Sequence, residues 1–409
     1  MKVLHTSDWH IGRVLYGKKR YEEFEAFLAW LADAIQQHAV DALIVAGDIF
    51  DTSTPSNRSQ ELYYRFLCKV AASTCRHVVV IAGNHDSPTF LDAPKELLRA
   101  LDVHVVGSRT EALANEVLVL RNQDKQPELI VCAVPYLRDR DIRVAEAGES
   151  IEEKEQKLVD GIRDHYSQIG ALAEQQRQML GQHIPIIGTG HLFAAGGKTI
   201  DGDGVRDLYV GSLAHVTAGV FPECFDYVAL GHLHVPQNVG GTDTIRYSGS
   251  PLPMGFGEAK QSKSVCLVEF DGASPTITLE SVPVFQRLER IQGDWKALER
   301  RVQDLVSANA AIWLEVIYDG AEVISDLRER LDSIAANSSV DILRINNRRV
   351  IERVLERAYQ EETLDDLDVQ QVFDRCLSAH DVPEDQRAEL QRTFTEAVTS
   401  LHEDDERAQ

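Results

Sequence analysis

The segment that decides the fold is residues 42–51, which read Ala-Leu-Ile-Val-Ala-Gly-Asp-Ile-Phe-Asp. Its first five residues are all apolar, and such an unbroken run is typical of a strand buried on both faces of a parallel sheet. Gly47 and Asp48 follow directly, so a carboxylate stands where this strand runs out into a loop. Ligands bind beyond the carboxyl ends of the strands in open α/β sheets, and we therefore expect Asp48 to lie in a functional site.

Similar apolar runs, alternating with helical patterns, occur on both sides of this segment. In the amino-terminal part of the chain, apolar residues recur at helical spacing in 21–36 and 59–72. The other strands that we predict to end at a loop of interest are 3–6, 77–82, 129–134, 184–188 and 227–230. Three later runs are expected to form a second sheet that packs on the first: 244–248, 264–270 and 276–282. This order predicts an α/β fold, a two-sheet sandwich flanked by helices.

The chain has 409 residues, which is too long for one typical core, so more than one domain is expected. We predict that the sandwich occupies residues 1–284. Residues 285–348 read as a β-α-β-α-β series, which suits a small, separate α+β domain. Residues 349–409 read as a helical segment with an acidic tail, and a helical pair without its own core more often docks onto a partner than stands alone.

Five short segments place oxygen and imidazole donors in loops, mostly directly after these strands. They are Asp8-Trp9-His10, Gly47-Asp48-Ile49-Phe50-Asp51, Gly83-Asn84-His85-Asp86, Gly190-His191 and Gly231-His232-Leu233-His234. Hard divalent cations that polarise phosphate need this mixture of carboxylate, amide oxygen and neutral imidazole. One such segment alone is weak evidence, because turns and helix caps use the same residues. The ordered set predicts a two-metal phosphoesterase site.

Two divalent cations a few ångströms apart need a bridging ligand, and Asp48 is the natural bridge because its carboxylate can offer both oxygens. The other donors divide into two coordination shells. Asp8 and His10 belong to one shell, and Asn84 and His191 belong to the other. One of the late histidines, His232 or His234, would complete each shell. In an extended chain, residues two apart point to the same side. Both late imidazoles can therefore face the ions while Leu233 faces the core.

His85 directly follows Asn84 and is left for acid–base chemistry. Metal ions lower the pKa of bound water, and the departing alkoxide needs a proton that a histidine within reach can supply. Asp51 lies three residues beyond Asp48, and Asp86 is next to His85. Either carboxylate could hold the imidazole in position, and we favour Asp51.

Charge and cysteine content limit the class of protein. The net charge is −23, and residues 349–409 hold 17 acidic against 7 basic side chains, a net of −10. This balance argues against tight unassisted DNA binding and for a partner that contributes basic surface.

The basic run 13–20 is either a solvated loop or a contact to a phosphate backbone. The six cysteines form no C-x-x-C pair, and no stretch reads as a signal peptide or membrane span, which favours a cytoplasmic protein.

The five segments resemble those of the calcineurin-like metallophosphoesterases. The opening residues 1–12 and Tyr247-Ser248-Gly249-Ser250-Pro251 narrow the resemblance to bacterial double-strand-break repair nucleases, and it covers essentially the whole chain. It implies two Mn²⁺ per chain, with Mg²⁺ as an alternative, and catalysis by His85. The ligands that it implies are Asp8, His10, Asp48, Asn84, His191, His232 and His234. At the position of Asp51 the wider phosphatase family has an aspartate that pairs with the catalytic histidine, whereas archaeal and eukaryotic nucleases carry a histidine.

The resemblance also implies an activity and partners. The activity would be that of a 3′–5′ exonuclease and a single-strand or hairpin endonuclease on DNA ends, in recombination and repair. Residues 285–348 would cap the site and help to position DNA, and the acidic tail would bind a coiled-coil ABC-type ATPase. Two nuclease chains would form a homodimer within a heterotetramer. We expect the dimer contact on the helix near Leu97-Leu98 and on the helix that carries Leu62, Tyr63, Phe66, Leu67 and Val70.

Two other functions fit part of the pattern. A small-molecule phosphodiesterase or nucleotidase could use the same site, because metal ions bind the phosphate and not the leaving group. The domains beyond Pro283 are hard to explain for that function. A metal-free binding scaffold is the other alternative, and the complete set of ligands argues against it.

Overall fold

The computed structural model describes residues 1–144, 146, 149–181, 183–194, 216–322, 324 and 326–347, with a few positions between 372 and 394. The chain separates into two compact units, Met1–Glu289 and Arg290–Gln409. The predicted helical segment 349–409 lies outside the described residues except for those few positions. None of the described helices has the length and apolar character needed to cross a membrane.

The first unit alternates strands and helices along the chain. Its strands are β1 (Lys2–Thr6), β2 (Val14–Leu15), β3 (Lys18–Lys19), β4 (Ala42–Ala46), β5 (His77–Ile81), β6 (Val103–Val106), β7 (Val117–Arg121), β8 (Pro127–Cys132), β9 (Ile186–His191), β10 (Tyr227–Gly231), β11 (Gln237–Val239), β12 (Thr242–Tyr247), β13 (Ser264–Asp271) and β14 (Ser274–Ser281). Its helices are α1 (Tyr21–Gln37), α2 (Asn57–Ala71), α3 (Pro88–Asp92), α4 (Lys95–Arg99), α5 (Asp139–Ile142) and α6 (Ile151–Leu180).

Two sheets form the centre of this unit. The first has the order β14-β13-β1-β4-β5-β6, and the second has the order β11-β12-β10-β9-β8-β7. Strands β1, β4, β5 and β6 are parallel neighbours, as are β8, β9, β10 and β12. The carboxyl ends of parallel strands lie at one edge of a sheet, and there the loops after them can meet.

Apolar side chains from both sheets share one buried layer, for example Ile44 and Ile81 from the first sheet with Ile187 and Ala229 from the second. The outer face of the first sheet packs against α1 and α2, and that of the second sheet packs against α6. Strand β4 is buried at every position because it lies in the middle of this arrangement. The predicted two-sheet sandwich flanked by helices is confirmed.

The assignment of strands to sheets was partly wrong. We expected 244–248, 264–270 and 276–282 to form the second sheet, but only the first of these runs, as β12, belongs to it. Strand β13 pairs antiparallel with β1, and β14 extends the same sheet at its edge. The alternation of apolar and polar residues indicates one buried face, and it does not say which sheet a strand joins.

The dimer contact expected on α2 stays a prediction, but the five residues that suggested it are not exposed. Leu62, Tyr63, Phe66, Leu67 and Val70 are all buried within the unit, in the core beneath the first sheet. The apolar stripe that the sequence displays is thus the face by which α2 packs on its own sheet. Near the predicted second contact, Leu98 is buried, whereas Leu97 is 72% exposed.

The basic run 13–20 forms the short hairpin of β2 and β3, and its two terminal arginines make internal contacts. The guanidinium of Arg20 is buried against Glu23 and donates to the carbonyl oxygen of Pro253 at 2.8 Å. Arg13 Nε donates to the carbonyl oxygen of Met254 at 3.2 Å. These two arginines therefore fasten the hairpin to the residues around Pro253.

The second unit contains the predicted β-α-β-α-β series. Its elements are β15 (Arg287–Gly293), which begins at the end of the first unit, α7 (Trp295–Ser307), β16 (Ile312–Tyr318), α8 (Leu327–Ala335) and β17 (Val340–Asn347). The strands form a sheet in the order β15-β16-β17, with β16 and β17 parallel. Leu298 and Val302 of α7 and Leu331 of α8 pack on this sheet in a separate core.

His5 on β1 gives the first unit a pH-dependent stability. The imidazole is buried, with Nδ1 3.0 Å from the hydroxyl of Tyr227 and Nε2 3.2 Å from the carbonyl oxygen of Leu230. Burial lowers the pKa of His5 from 6.5 to about 3. Between these pH values the unfolded chain binds a proton that the folded chain does not bind, so stability falls as the pH falls.

We expect His5→Gln to remove this contribution. Below pH 6.5 the free energy of unfolding of the variant should fall less steeply than that of the natural chain, by up to about 1.4 kcal/mol per pH unit. Urea unfolding at a series of pH values measures both slopes. His183→Gln is the matched control because that imidazole is exposed. Parallel curves for the natural chain and His5→Gln would contradict the prediction.

Candidate metal centre

The five segments that the sequence singles out converge at one edge of the sandwich. Three follow β1, β4 and β5 of the first sheet, and two lie at the carboxyl ends of β9 and β10 of the second, with His191 as the last residue of β9. Four of the donors adopt positive φ angles, which is uncommon for residues other than glycine. They are Asp8 at 53°, His10 at 48°, Asp48 at 50° and His232 at 104°. Such strained conformations cluster at functional sites, where the surrounding structure holds them in place.

Gly47 lets the two sheets approach each other at this edge. Its φ is 89°, and a Cβ atom there would lie 2.3 Å from His191 Nδ1. The same imidazole nitrogen lies 3.0 Å from the carbonyl oxygen of Ala46. A carbonyl oxygen only accepts, so Nδ1 of His191 carries the proton and Nε2 faces the other donors.

The carboxylate of Asp48 lies at the centre of the cluster. Its Oδ2 atom is 3.5 Å from His10 Nε2 and 3.3 Å from His191 Nε2. Its Oδ1 atom accepts a hydrogen bond of 2.9 Å from the main-chain N–H of His85. The sequence suggested that both oxygens face the ions, whereas here Oδ2 alone lies between the two imidazoles.

The two late histidines lie in different halves of the cluster. His234 Nε2 is 3.2 Å from His10 Nε2, and these two residues form a group with Asp8 whose donor atoms lie within 4.8 Å of one another. The His232 ring lies 5.4 Å from that of His191, between centroids, and His191 Nε2 is 3.0 Å from Asn84 Oδ1. His234 therefore lies in the half with Asp8 and His10, and His232 lies in the half with His191 and Asn84, while Asp8 also has a carboxylate oxygen within 4.8 Å of the donor atoms of Asp48 and His191.

The extended conformation that we expected for residues 232–234 was wrong. We expected an extended chain from His232 to His234, but β10 ends at Gly231 and His232 has a φ of 104°. The main-chain N–H of His232 donates to both carboxylate oxygens of Asp8, at 2.9 and 3.1 Å. A turn held by Asp8 therefore separates the two imidazoles, while Leu233 is buried in the core as expected.

His85 lies beside the cluster, and its ring centroid is 4.8 Å from that of His10. Its Nδ1 atom is 2.9 Å from the main-chain carbonyl oxygen of Asp51. The residue that we favoured thus contacts the imidazole, but the contact uses the carbonyl group and not the expected carboxylate. Asp51 Oδ1 instead lies 3.4 Å from His10 Nδ1 and 3.1 Å from Arg13 Nη1. Burial opposes ionisation of the Asp51 carboxyl, but His10 and Arg13 outweigh burial and lower the pKa of Asp51 to about 2.

Asp86 has a structural role. Its carboxylate accepts hydrogen bonds from the main-chain N–H groups of Ile49, Phe50 and Gly83, at 2.9 to 3.1 Å. These bonds hold the loop after β4 against the loop after β5. Burial and the charge of Asp48 raise the pKa of Asp86 to about 6. The two candidates for the orienting carboxylate are therefore both engaged elsewhere.

The chemistry of the cluster suits divalent cations. Burial disfavours a charge on His191, but Asp48 outweighs it and raises the pKa of His191 to about 9. Burial also opposes ionisation of Asp48, but His191 and His10 hold the pKa of its carboxyl well below the usual range. The cluster thus stabilises positive charge between converging oxygen and nitrogen atoms, and metal ions supply such charge in place of protons.

Sequence patterns did not reveal the residues that support Asp8. Ser7 Oγ donates to Asp8 Oδ2 at 2.5 Å and lies 2.8 Å from Ser248 Oγ. Both serines are buried. Ser248 belongs to a segment used for the resemblance, but single serines beside a strand carry no local signal for such a contact.

Two family models match this chain. Residues 1–236 match the calcineurin-like phosphoesterase model. Residues 284–381 match the SbcD_C model, described as the type 5 capsule protein repressor C-terminal domain. The first match spans the five segments that form the cluster.

Curated relatives extend the likeness over the whole chain. The D subunit of the nuclease SbcCD from Escherichia coli strain K12 is 39% identical over 406 residues, which cover 98% of each chain. Its counterpart in Rhodobacter capsulatus is 36% identical over 67% of each chain, and that in Bacillus subtilis is 35% identical over 66% of each chain. The chain therefore belongs to the calcineurin-like phosphoesterase family and, within it, to the family of SbcCD nuclease D subunits.

Proposed function

We propose that this chain is a DNA nuclease subunit that hydrolyses phosphodiester bonds with two divalent cations, Mn²⁺ in preference to Mg²⁺. The observation that carries the proposal is the position of Asp48 Oδ2 between His10 Nε2 and His191 Nε2, at 3.5 and 3.3 Å. One carboxylate oxygen between two sets of donors is the arrangement that a two-metal phosphoesterase needs.

The seven donors would then divide as the cluster divides. Asp8, His10 and His234 would hold one cation, and Asn84, His191 and His232 would hold the other, with Asp48 shared. The ions, when bound, would polarise the phosphate and acidify water near neutral pH. Burial and the neighbouring His191 lower the pKa of His232 well below its usual range, whereas Asp48 raises that of His191, and a bound cation would take the place of the proton on the His191 imidazole.

His85 would deliver the proton to the leaving oxygen. The carbonyl oxygen of Asp51 accepts from Nδ1, so that nitrogen keeps its hydrogen, and Nε2 is the atom that can transfer a proton. Asp51 would thus orient His85 through its main chain. Its carboxylate would orient His10 instead, since it lies 3.4 Å from Nδ1 of that residue.

The site alone does not select DNA over a small phosphodiester, and the choice rests on the relatives. Their shared name describes each of them as the D subunit of the nuclease SbcCD. By this likeness we propose 3′–5′ exonuclease activity on double strands and endonuclease activity on single strands or hairpins, in the cytoplasm at the nucleoid. The nuclease domain would be residues 1–284, and residues 285–348 would cap the site.

Two substrates distinguish this function from its rivals. With Mn²⁺, we expect the purified chain to hydrolyse bis-p-nitrophenyl phosphate and, together with its ATPase partner, to shorten an end-labelled DNA duplex. Hydrolysis of the small ester with an intact duplex would indicate a small-molecule phosphodiesterase. No hydrolysis of either substrate at saturating Mn²⁺ would contradict an enzymatic function.

The role of His85 is tested by His85→Leu. We expect this variant to bind two Mn²⁺ as the natural chain does, because His85 is outside the proposed ligand set. Cleavage of the duplex should fall by about 10²- to 10⁴-fold, the usual contribution of a general acid. His38→Leu, at the carboxyl end of α1 and outside the five segments, is the control and should cleave normally. Normal cleavage by His85→Leu would show that another group supplies the proton.

We further propose that the chain works with an SbcC-like coiled-coil ABC-type ATPase, as a homodimer within a heterotetramer at DNA ends and hairpins. The name of the relatives supports a second kind of subunit. The acidic segment 349–409 would be the docking site, since its net charge of −10 suits a basic partner surface.

Deletion of residues 349–409 tests this docking site. The shortened chain should still hydrolyse bis-p-nitrophenyl phosphate with Mn²⁺, because the proposed ligands all lie before residue 235. It should no longer co-elute with the ATPase in size-exclusion chromatography. Continued co-elution would place the docking site elsewhere on the chain.

A further inference from the structure

The loop between β12 and β13, residues 248–263, clamps the main chain of His234. We call it the strap. The carbonyl oxygen of His234 accepts from the main-chain N–H of Ser250 at 3.1 Å, near the start of the strap. It also accepts from Lys263 Nζ at 3.0 Å, at the end of the strap. Two donors from opposite ends of one loop thus fix a single carbonyl group beside the metal cluster.

Glu258, in the same strap, reaches the side chain of His234. Its carboxylate is fully buried, and Oε1 lies 3.5 Å from His234 Nδ1 without a hydrogen bond of its own. The other oxygen, Oε2, accepts from the main-chain N–H of Met254 at 3.1 Å and pairs with Lys263. A buried carboxylate is costly unless it is paired, and Lys263 supplies that pairing.

The strap is anchored on its other side as well. Arg20 and Arg13 donate to the carbonyl oxygens of Pro253 and Met254, and the ring of Tyr16 stacks on Phe256 at 5.8 Å between centroids. The residues just before Glu258 are therefore held by the hairpin of β2 and β3. A carboxylate that is fixed in this way can orient a neighbouring imidazole.

We propose that Glu258 is a positioning residue for His234, with Lys263 as its counter-charge. It would hold the proton on Nδ1 and direct Nε2 towards His10 Nε2, 3.2 Å away. The inference rests on the proposed function, since it concerns the cation held by Asp8, His10 and His234. The other half of the cluster has no contact of this kind with Glu258 among the described residues, so the effect should be confined to one of two cations.

Mn²⁺ binding to the full chain tests this inference. In a titration followed by the electron paramagnetic resonance signal of free Mn²⁺, the natural chain should show two sites. Glu258→Gln should weaken one site by about ten- to a hundredfold, the usual effect of losing such a supporting contact, and leave the other unchanged. Cleavage of duplex DNA by this variant should recover when more Mn²⁺ is added.

Two further variants separate positioning from folding. Glu258→Gln leaves the buried ammonium of Lys263 without its carboxylate counter-charge, so the double variant Glu258→Gln/Lys263→Met removes both charges, while the N–H of Ser250 still donates to the carbonyl oxygen of His234. It should fold and show the same selective weakening. Glu116→Gln is the matched control, because Glu116 is also buried and its Oε2 lies 3.0 Å from an imidazole, that of His165, outside the cluster. Both of its Mn²⁺ sites should match those of the natural chain.

The outcomes distinguish the inference from the function on which it rests. Natural affinity at both sites in Glu258→Gln and in the double variant would overturn the positioning role alone. Equal weakening at both sites would overturn it too, because the contact reaches only His234. If the natural chain itself bound no Mn²⁺, the proposed function would fail, and this inference with it.

Discussion

The arrangement of the site depends on one buried carboxylate, that of Asp48. It lies at the edge where two sheets meet, with one oxygen between His10 Nε2 and His191 Nε2. A lone negative charge in such a place is costly, and positive charge nearby compensates it. The same electrostatics raises the pKa of His191 and lowers that of Asp48. Divalent cations would compensate the negative charge of Asp48 more strongly than protons do, because each cation carries two positive charges.

The two-sheet sandwich brings together the donors that surround Asp48. Parallel strands in each sheet end at one edge, so donors that are far apart in sequence come within a few ångströms. The cost appears as backbone strain, since Asp8, His10, Asp48 and His232 all have positive φ angles. Hydrogen bonds to the main chain offset that cost, among them the bond from the N–H of His232 to Asp8 and those from the loop after β4 to Asp86.

Sequence patterns predicted the sandwich and the meeting of the five segments, because buried parallel strands leave an unbroken apolar run such as 42–46. They did not predict that β13 and β14 join the first sheet, because strand pairing is a long-range property. The apolar stripe of α2 packs in the core, and the sequence could not show this, since core and interface faces have the same spacing. The contacts of Asp51 and Glu258 depend on loop geometry, which no local pattern encodes.

The most direct test of the central claim is a crystal structure grown with excess Mn²⁺, with anomalous diffraction data collected at the manganese absorption edge. We expect two anomalous peaks a few ångströms apart, one on each side of Asp48 Oδ2. One peak should lie against Asp8, His10 and His234, and the other against Asn84, His191 and His232. Absence of both peaks, or peaks away from these side chains, would contradict a paired cation centre.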